Sequence, residues 1–133
     1  MKTSFALCLC AFLALGAGKI HRPTLMQAIH QVESSGSLNP SDGDGGNSIG
    51  PLQISRAYWK DATDHDKTIG GVYEDCRKLE YSERVVRAYW DRYGGKNPTD
   101  EKLARIHNGG PNGHKKQATV GYWNKVRAAM EGK

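Results

Sequence analysis

The sequence predicts an α+β, mainly α fold, with about five helices around a small, β-like, glycine-rich insertion. Three observations carry this reading. Apolar residues recur at helical spacing in several separate stretches. Residues 37–50 hold four glycines, two aspartates, two asparagines and one proline, which is turn chemistry and the one place where β structure is expected. The chain has 133 residues, no internal repeat and no low-complexity tract, so a single domain is expected.

The elements follow in order. Thr24 is placed to cap a helix over 25–34, where Leu25, Ala28, Ile29 and Val32 make one apolar face and Gly36 stops the run. Pro51 suits the first position of a second helix, which Leu52, Ile54, Ala57, Tyr58 and Ala62 extend to about residue 62. Residues 63–71 are polar, end in Gly70-Gly71 and predict a loop. Residues 72–93 predict a helix broken near Leu79–Ser82, with Val85, Val86, Tyr89, Trp90 and Tyr93 as its buried stripe. Thr99 caps the next helix, with Lys102 where a capping box would prefer Glu, and Leu103 and Ile106 point inward. Asn108-Gly109-Gly110-Pro111 ends it, and a last helix spans about 118–131.

The start of the chain predicts export. Lys2 precedes an apolar core, Phe5 to Leu15, and Gly16-Ala17-Gly18 offers the small residues of a cleavage site. Residues 1–18 are therefore expected to be a signal peptide and residues 19–133 the mature domain, secreted and without a membrane span. The formal charge of the whole chain is +5, and without Lys2 it is +4. That modest excess suits anionic polymers such as bacterial walls. No run of like charges marks a nucleic-acid arm, so no nucleic-acid partner is expected. Of three cysteines, Cys8 and Cys10 lie in the signal segment. Cys76 alone cannot form an intramolecular disulfide and is expected to be a bystander thiol, and the protein is expected to be a monomer.

The chemistry points to residues 28–54. Glu33 follows the apolar Val32 at the edge of a buried helix face, and Asp42 and Asp44 stand in the glycine-rich turn just after it. Glycoside hydrolysis needs that pairing: one carboxyl in a semi-apolar seat to protonate the leaving oxygen, and an ionised partner across the cleft. A calcium loop starting at Asp42 would need a ligand at 46, a glycine at 47 and an acid at 53, where the chain has Gly46, Asn47 and Gln53. The histidines at 21, 30, 65, 107 and 114 lack metal spacing. His30 falls near the Glu33 face, and His107 precedes a Gly-Gly-Pro turn that could border a cleft. The pairs Tyr58-Trp59, Tyr89-Trp90 and Tyr122-Trp123 are expected mainly in the core, with one or two rings at a rim able to stack on sugars. The chain contains no Gly-x-Ser-x-Gly elbow, Walker loop or Cys-x-x-Cys pair, so serine hydrolases, nucleotide enzymes and zinc sites find no support. No metal and no cofactor are expected.

Two C-terminal blocks are more specific. The run from Ala104 to Gly113 (Ala-Arg-Ile-His-Asn-Gly-Gly-Pro-Asn-Gly) and Gly121-Tyr122-Trp123-Asn124-Lys125-Val126 resemble the corresponding segments of invertebrate-type lysozymes, the destabilase family. Val32-Glu33-Ser34, the run from Ser48 to Ile54, Tyr58-Trp59-Lys60-Asp61 and Tyr89-Trp90-Asp91-Arg92-Tyr93 resemble further blocks in the same order, over residues 25–127. The resemblance implies a lysozyme-like fold and cleavage of the β-1,4 bond between N-acetylmuramic acid and N-acetylglucosamine in peptidoglycan. It implies Glu33 as general acid, with the second carboxylate in the 42–44 turn. Asp44, eleven residues after Glu33, fits the family spacing better than Asp42. Gln53, Tyr58, His107, Asn108 and Gly109 fall in the matching blocks and are the expected substrate contacts. A lytic transglycosylase using Glu33 alone and a non-catalytic cationic wall-binding protein are the competing readings.

The chain departs from the family pattern in two respects. Ile49 and His114 stand where cysteines are expected, so the family's disulfide framework is missing. Ser55 stands where a lysine would accompany Ser48 in members that cleave isopeptide bonds, so that second activity is not expected.

Overall fold

The computed structural model describes residues 23–133, so the expected signal peptide and His21 lie outside the described residues. Five α-helices are present among them: α1 (Leu25–Ser34), α2 (Arg56–His65), α3 (Leu79–Tyr93), α4 (Asp100–Gly109) and α5 (Val120–Met130). One two-stranded antiparallel sheet, β1 (Ser48–Ile49) and β2 (Ile54–Ser55), pairs Ser48 with Ser55 and Ile49 with Ile54. Helix α1 packs on α5, α2 on α3, and α4 on both α5 and α3. Ile29, Leu52, Ile54, Val85, Val86, Ile106 and Val126 are fully buried where these elements meet.

Helix α1 begins as its sequence dictates. Thr24 Oγ1 accepts from the Gln27 amide at 3.3 Å, and Gln27 Oε1 accepts from the Thr24 amide at 2.9 Å, a reciprocal capping box. Such a cap satisfies two orphan donors and contributes on the order of 1 kcal/mol. Ser35 and Gly36 then turn left-handed and end the helix after Ser34, at the expected bound. The Ser34 hydroxyl donates to the Pro51 carbonyl at 2.9 Å, which ties the end of α1, and Glu33 with it, to the hairpin.

The expected helix start at Pro51 is corrected. Residues 50–53 form a turn between β1 and β2, closed by the Gln53 amide donating to the Gly50 carbonyl at 3.0 Å. Gln53 takes φ 52°, outside the right-handed helical region, so no helix can run through it. Helix α2 starts instead after Ser55, whose hydroxyl accepts from the Tyr58 amide at 3.2 Å. The residue standing where the family's lysine was expected is thus a helix cap. Helix α2 also continues to His65, into the stretch expected to be loop, and a 3₁₀ turn follows at Lys67–Ile69.

The break expected near Leu79–Ser82 falls just before it. Residues Tyr73–Arg77 form a 3₁₀ segment, Lys78 is extended, and α3 starts at Leu79. Thr99 caps α4, accepting from the Lys102 amide at 3.1 Å. The last helix is shorter than expected because Gln117–Thr119 is 3₁₀ rather than α.

Cys76 is fully buried and unpaired, and burial pushes its thiol up to about 12, the behaviour of a packing residue. Ile49, in place of a family cysteine, adds an apolar side chain to the core. His114 is half-buried, with Nδ1 lacking a partner, and burial together with Lys102, Lys115 and Arg105 lowers its proton affinity. Among the described residues no helix is long and apolar enough to cross a membrane.

Candidate active site

A polar cavity of about 300 Å³ is lined by Glu33, Asp44, Ser48, Gln53, His107 and Asn108. It lies where the end of α1, the Asp44 turn, the hairpin and the end of α4 converge. Other hollows on the surface are larger, such as the 560 Å³ depression between α3 and the Lys67–Ile69 turn. The smaller one gathers the catalytic chemistry: two carboxylates, three amide- or hydroxyl-bearing side chains and an imidazole converge in it.

Glu33 is held from two sides. Its side chain is 18% exposed, at the edge of a cavity lined by polar groups. The Tyr122 hydroxyl, from α5, donates to Glu33 Oε1 at 2.8 Å. His107 Nε2, from α4, lies 3.3 Å from the same oxygen and 3.2 Å from the Leu52 carbonyl. Both neighbours of Nε2 are acceptors, so the proton sits on Nε2, and in the neutral ring Nδ1 accepts from the Tyr58 hydroxyl at 3.0 Å. Burial, then the charges of Tyr89 and Glu33, push the Tyr58 phenol well above its ordinary range, so it remains a donor.

Asp44 stands on an exposed left-handed turn, φ 50°, followed by Gly45 at φ 63°. The turn is anchored by a reciprocal backbone pair between Gly43 and Ser48, at 2.9 and 3.2 Å. The Gln53 amide oxygen packs against Gly43, where a Cβ would collide with it, and its nitrogen donates to the Gly50 carbonyl at 2.9 Å. Gln53 therefore braces the loop that carries Asp44 as well as lining the cavity.

Asp42 is spoken for. Arg77 donates to both of its oxygens, at 2.6 and 3.0 Å, and this pair holds the Asp42 carboxyl below the usual carboxylate range. It does not border the cavity, which leaves Asp44 as the turn carboxylate that faces Glu33.

The other expected residues separate. Gln53, His107 and Asn108 line the cavity. Tyr58 does not, and its expected substrate contact is corrected: it is buried, its ring stacks 3.7 Å from that of Tyr89, and its hydroxyl serves His107. Gly109 is also set back, facing Thr119 and accepting from Lys116 Nζ at 2.7 Å. His30 Nε2 binds the Ser37 carbonyl at 2.8 Å and takes no part in the site. Ser48, expected only in connection with the isopeptidase activity, lines the cavity, and Tyr122 reaches its Glu33 unannounced. Tyr122 reads in sequence as one more core aromatic, and its place in the Gly-Tyr-Trp block was the only signal. Among the described residues no cluster of three or more His, Cys, Asp or Glu is arranged to hold a metal.

The family model described as Destabilase matches residues 24–129. The chain belongs to the invertebrate-type lysozyme, or destabilase, family. Invertebrate-type lysozyme 6 of Caenorhabditis elegans is 31% identical over 129 residues, 90% of this chain and 94% of that protein. Lysozyme 1 of Crassostrea virginica is 44% identical over 85 residues, 61% of this chain, and the match spans 44% of the oyster protein's length. Among solved structures, Tapes japonica lysozyme superposes with a TM-score of 0.64 at 27% identity, covering 80% of this chain and 93% of that one. Meretrix lusoria lysozyme, crystallised with Aeromonas hydrophila PliI, gives 0.64 at 31% identity, covering 77% and 85%. The lysozyme-like α+β fold expected from the sequence is thereby established, in a destabilase-family member with a single cysteine among its described residues.

Proposed function

We propose that this chain is a secreted lysozyme that hydrolyses the β-1,4 bond between N-acetylmuramic acid and N-acetylglucosamine in bacterial peptidoglycan. The observation that carries the reading is the convergence of Glu33 and Asp44 on one polar cavity, in a chain of lysozyme relatives. Glu33, half-sheltered at the end of α1, donates a proton to the glycosidic oxygen. Asp44, exposed and free of the Arg77 pair that occupies Asp42, supplies the negative charge that the oxocarbenium-like transition state requires, or attacks to form a glycosyl-enzyme. Retention goes with carboxyls about 5 Å apart and inversion with about 6.5–9.5 Å. Gln53, Asn108 and Ser48 offer the hydrogen bonds that orient sugar hydroxyl and acetamido groups. The positive charge of the chain favours encounter with anionic cell walls and supports an antimicrobial, bacteriolytic role.

Digestion of peptidoglycan, with products read by mass spectrometry, tests this. Wild type is expected to release reducing-end muropeptides, and Asp44→Asn to lose at least about 100-fold in rate, as for loss of one preorganised electrostatic partner. Anhydro products that persist in Asp44→Asn would replace the hydrolase by a lytic transglycosylase, and binding without products would make the chain a wall-binding protein. Export predicts that the protein recovered from the medium of an expressing eukaryotic cell begins at Lys19. Recovery with residues 1–18 still attached would remove the signal peptide from the account.

A further inference from the structure

Tyr122 and His107 both approach Glu33 at the same oxygen, and Tyr122 is the one that hydrogen-bonds to it. The Tyr122 hydroxyl donates to Oε1 at 2.8 Å, and His107 Nε2 lies 3.3 Å from it. A carboxylic acid carries its proton on one oxygen only, and an oxygen that already accepts the Tyr122 bond, with His107 Nε2 beside it, is the poorer place for it. We infer that Tyr122 is a positioning residue for the reaction: its hydroxyl fixes Glu33 Oε1 against the protein, so that Oε2 carries the transferable proton into the cleft. This rests on the reading of Glu33 as the proton donor.

The geometry gives Tyr122 a second consequence. As the proton passes from Oε2 to the glycosidic oxygen, the electron pair of the O–H bond stays on Glu33 and the carboxyl becomes a carboxylate. A phenol hydrogen bond to a neutral carboxyl is ordinary; to a carboxylate it is charge-assisted and roughly twice as strong. The bond therefore tightens as the barrier is crossed, and an interaction that strengthens only then raises kcat without changing substrate binding. Tyr122 suits this. Burial, then the charge of Glu33, hold its phenol far above the ordinary range, so the hydroxyl stays a donor. The ring is half-buried against the core, with its centroid 6.4 Å from that of the His107 ring and its plane tilted 29° from it. His107 is fixed in turn by Tyr58 and the Leu52 carbonyl. Helices α2, α4 and α5 thus all converge on a side chain that belongs to α1.

The test is steady-state kinetics on a soluble peptidoglycan fragment, with the mature chain as wild type, Tyr122→Phe, Glu33→Gln and the double variant. Phenylalanine keeps the ring and removes only the hydroxyl. The expected result is a kcat lowered about 10-fold, KM within about twofold of wild type, and a double variant no slower than Glu33→Gln alone. A Tyr122→Phe enzyme with wild-type kcat would overturn the inference. So would a loss confined to KM, or a loss that adds fully to that of Glu33→Gln, because the hydroxyl would then not be acting through the carboxyl. If Tyr122→Phe does not fold, Tyr122→Leu, which likewise carries no donor, makes the same comparison. An inactive, folded wild type, or a Glu33→Gln variant with full activity, would refute the proposed function itself, and the two failures are told apart by those two proteins alone.

Discussion

Glu33→Gln is expected to abolish useful turnover: kcat on peptidoglycan should fall by about 100-fold to 10,000-fold, the range spanned by removal of a general acid. The substitution keeps the volume of the side chain and its Oε1 acceptor, so Tyr122 and His107 retain their partner at 2.8 and 3.3 Å. What it removes is the one proton that can be handed to the leaving oxygen. Stability should hardly change, because the side chain is already partly open to the cavity and its neighbours Tyr122 and His107 need an oxygen there rather than a charge. The decisive measurement pairs the rate with a melting curve. A Glu33→Gln protein that melts like wild type and still releases muropeptides at a tenth of the wild-type rate or faster would remove Glu33 from the chemistry.

What the sequence made legible and what it hid divides along a physical line. Helix α1 was readable because everything that makes it is local: an apolar face at 3.6-residue spacing, and Thr24 three residues before Gln27. The glycine-rich insertion was readable for the same reason, since Gly43, Gly45, Gly46 and Gly50 mark turns whatever surrounds them. Pro51 misled because proline suits a helix start, yet its neighbour Gln53 takes a left-handed conformation imposed by the hairpin, which nothing in the local sequence requires. The choice between Asp42 and Asp44 could not be made from the residues alone, because it depends on Arg77, thirty-five positions away. Tyr58, Tyr89 and Tyr122 look alike in a helical stripe. One stacks in the core, one is its stacking partner, and one reaches a carboxylate from the far end of the chain. Distance in sequence, rather than subtlety of chemistry, is what kept these roles out of view.

The Asp44 turn is tied to β1 through the Gly43–Ser48 backbone pair, so its position depends on the hairpin, and the hairpin depends on Gly50. Gly50→Ala is expected to destabilise the fold by roughly 3–5 kcal/mol, a large part of the stability of a domain this size. Two costs add. Gly50 sits at φ 74°, where any side chain is strained by about 1 kcal/mol. A Cβ there would also lie 2.8 Å from the Cys76 carbonyl carbon and 2.9 Å from Arg77 Cα, and nearer still to the Cys76 carbonyl oxygen. Those atoms are backbone and cannot rotate away, so the hairpin must lift off the Tyr73–Arg77 segment. Lifting it draws on the buried Ile49, Leu52 and Ile54, and it pulls Asp42 from Arg77, loosening the turn that carries Asp44. Gly45→Ala separates the two costs, since Gly45 has a similar φ of 63° and open space around it. Thermal unfolding should show Gly45→Ala only a few degrees below wild type and Gly50→Ala on the order of 15 °C below it. Equal shifts for the two would mean that the hairpin is not pinned through Gly50, and that the site's second carboxylate is placed by its own loop instead.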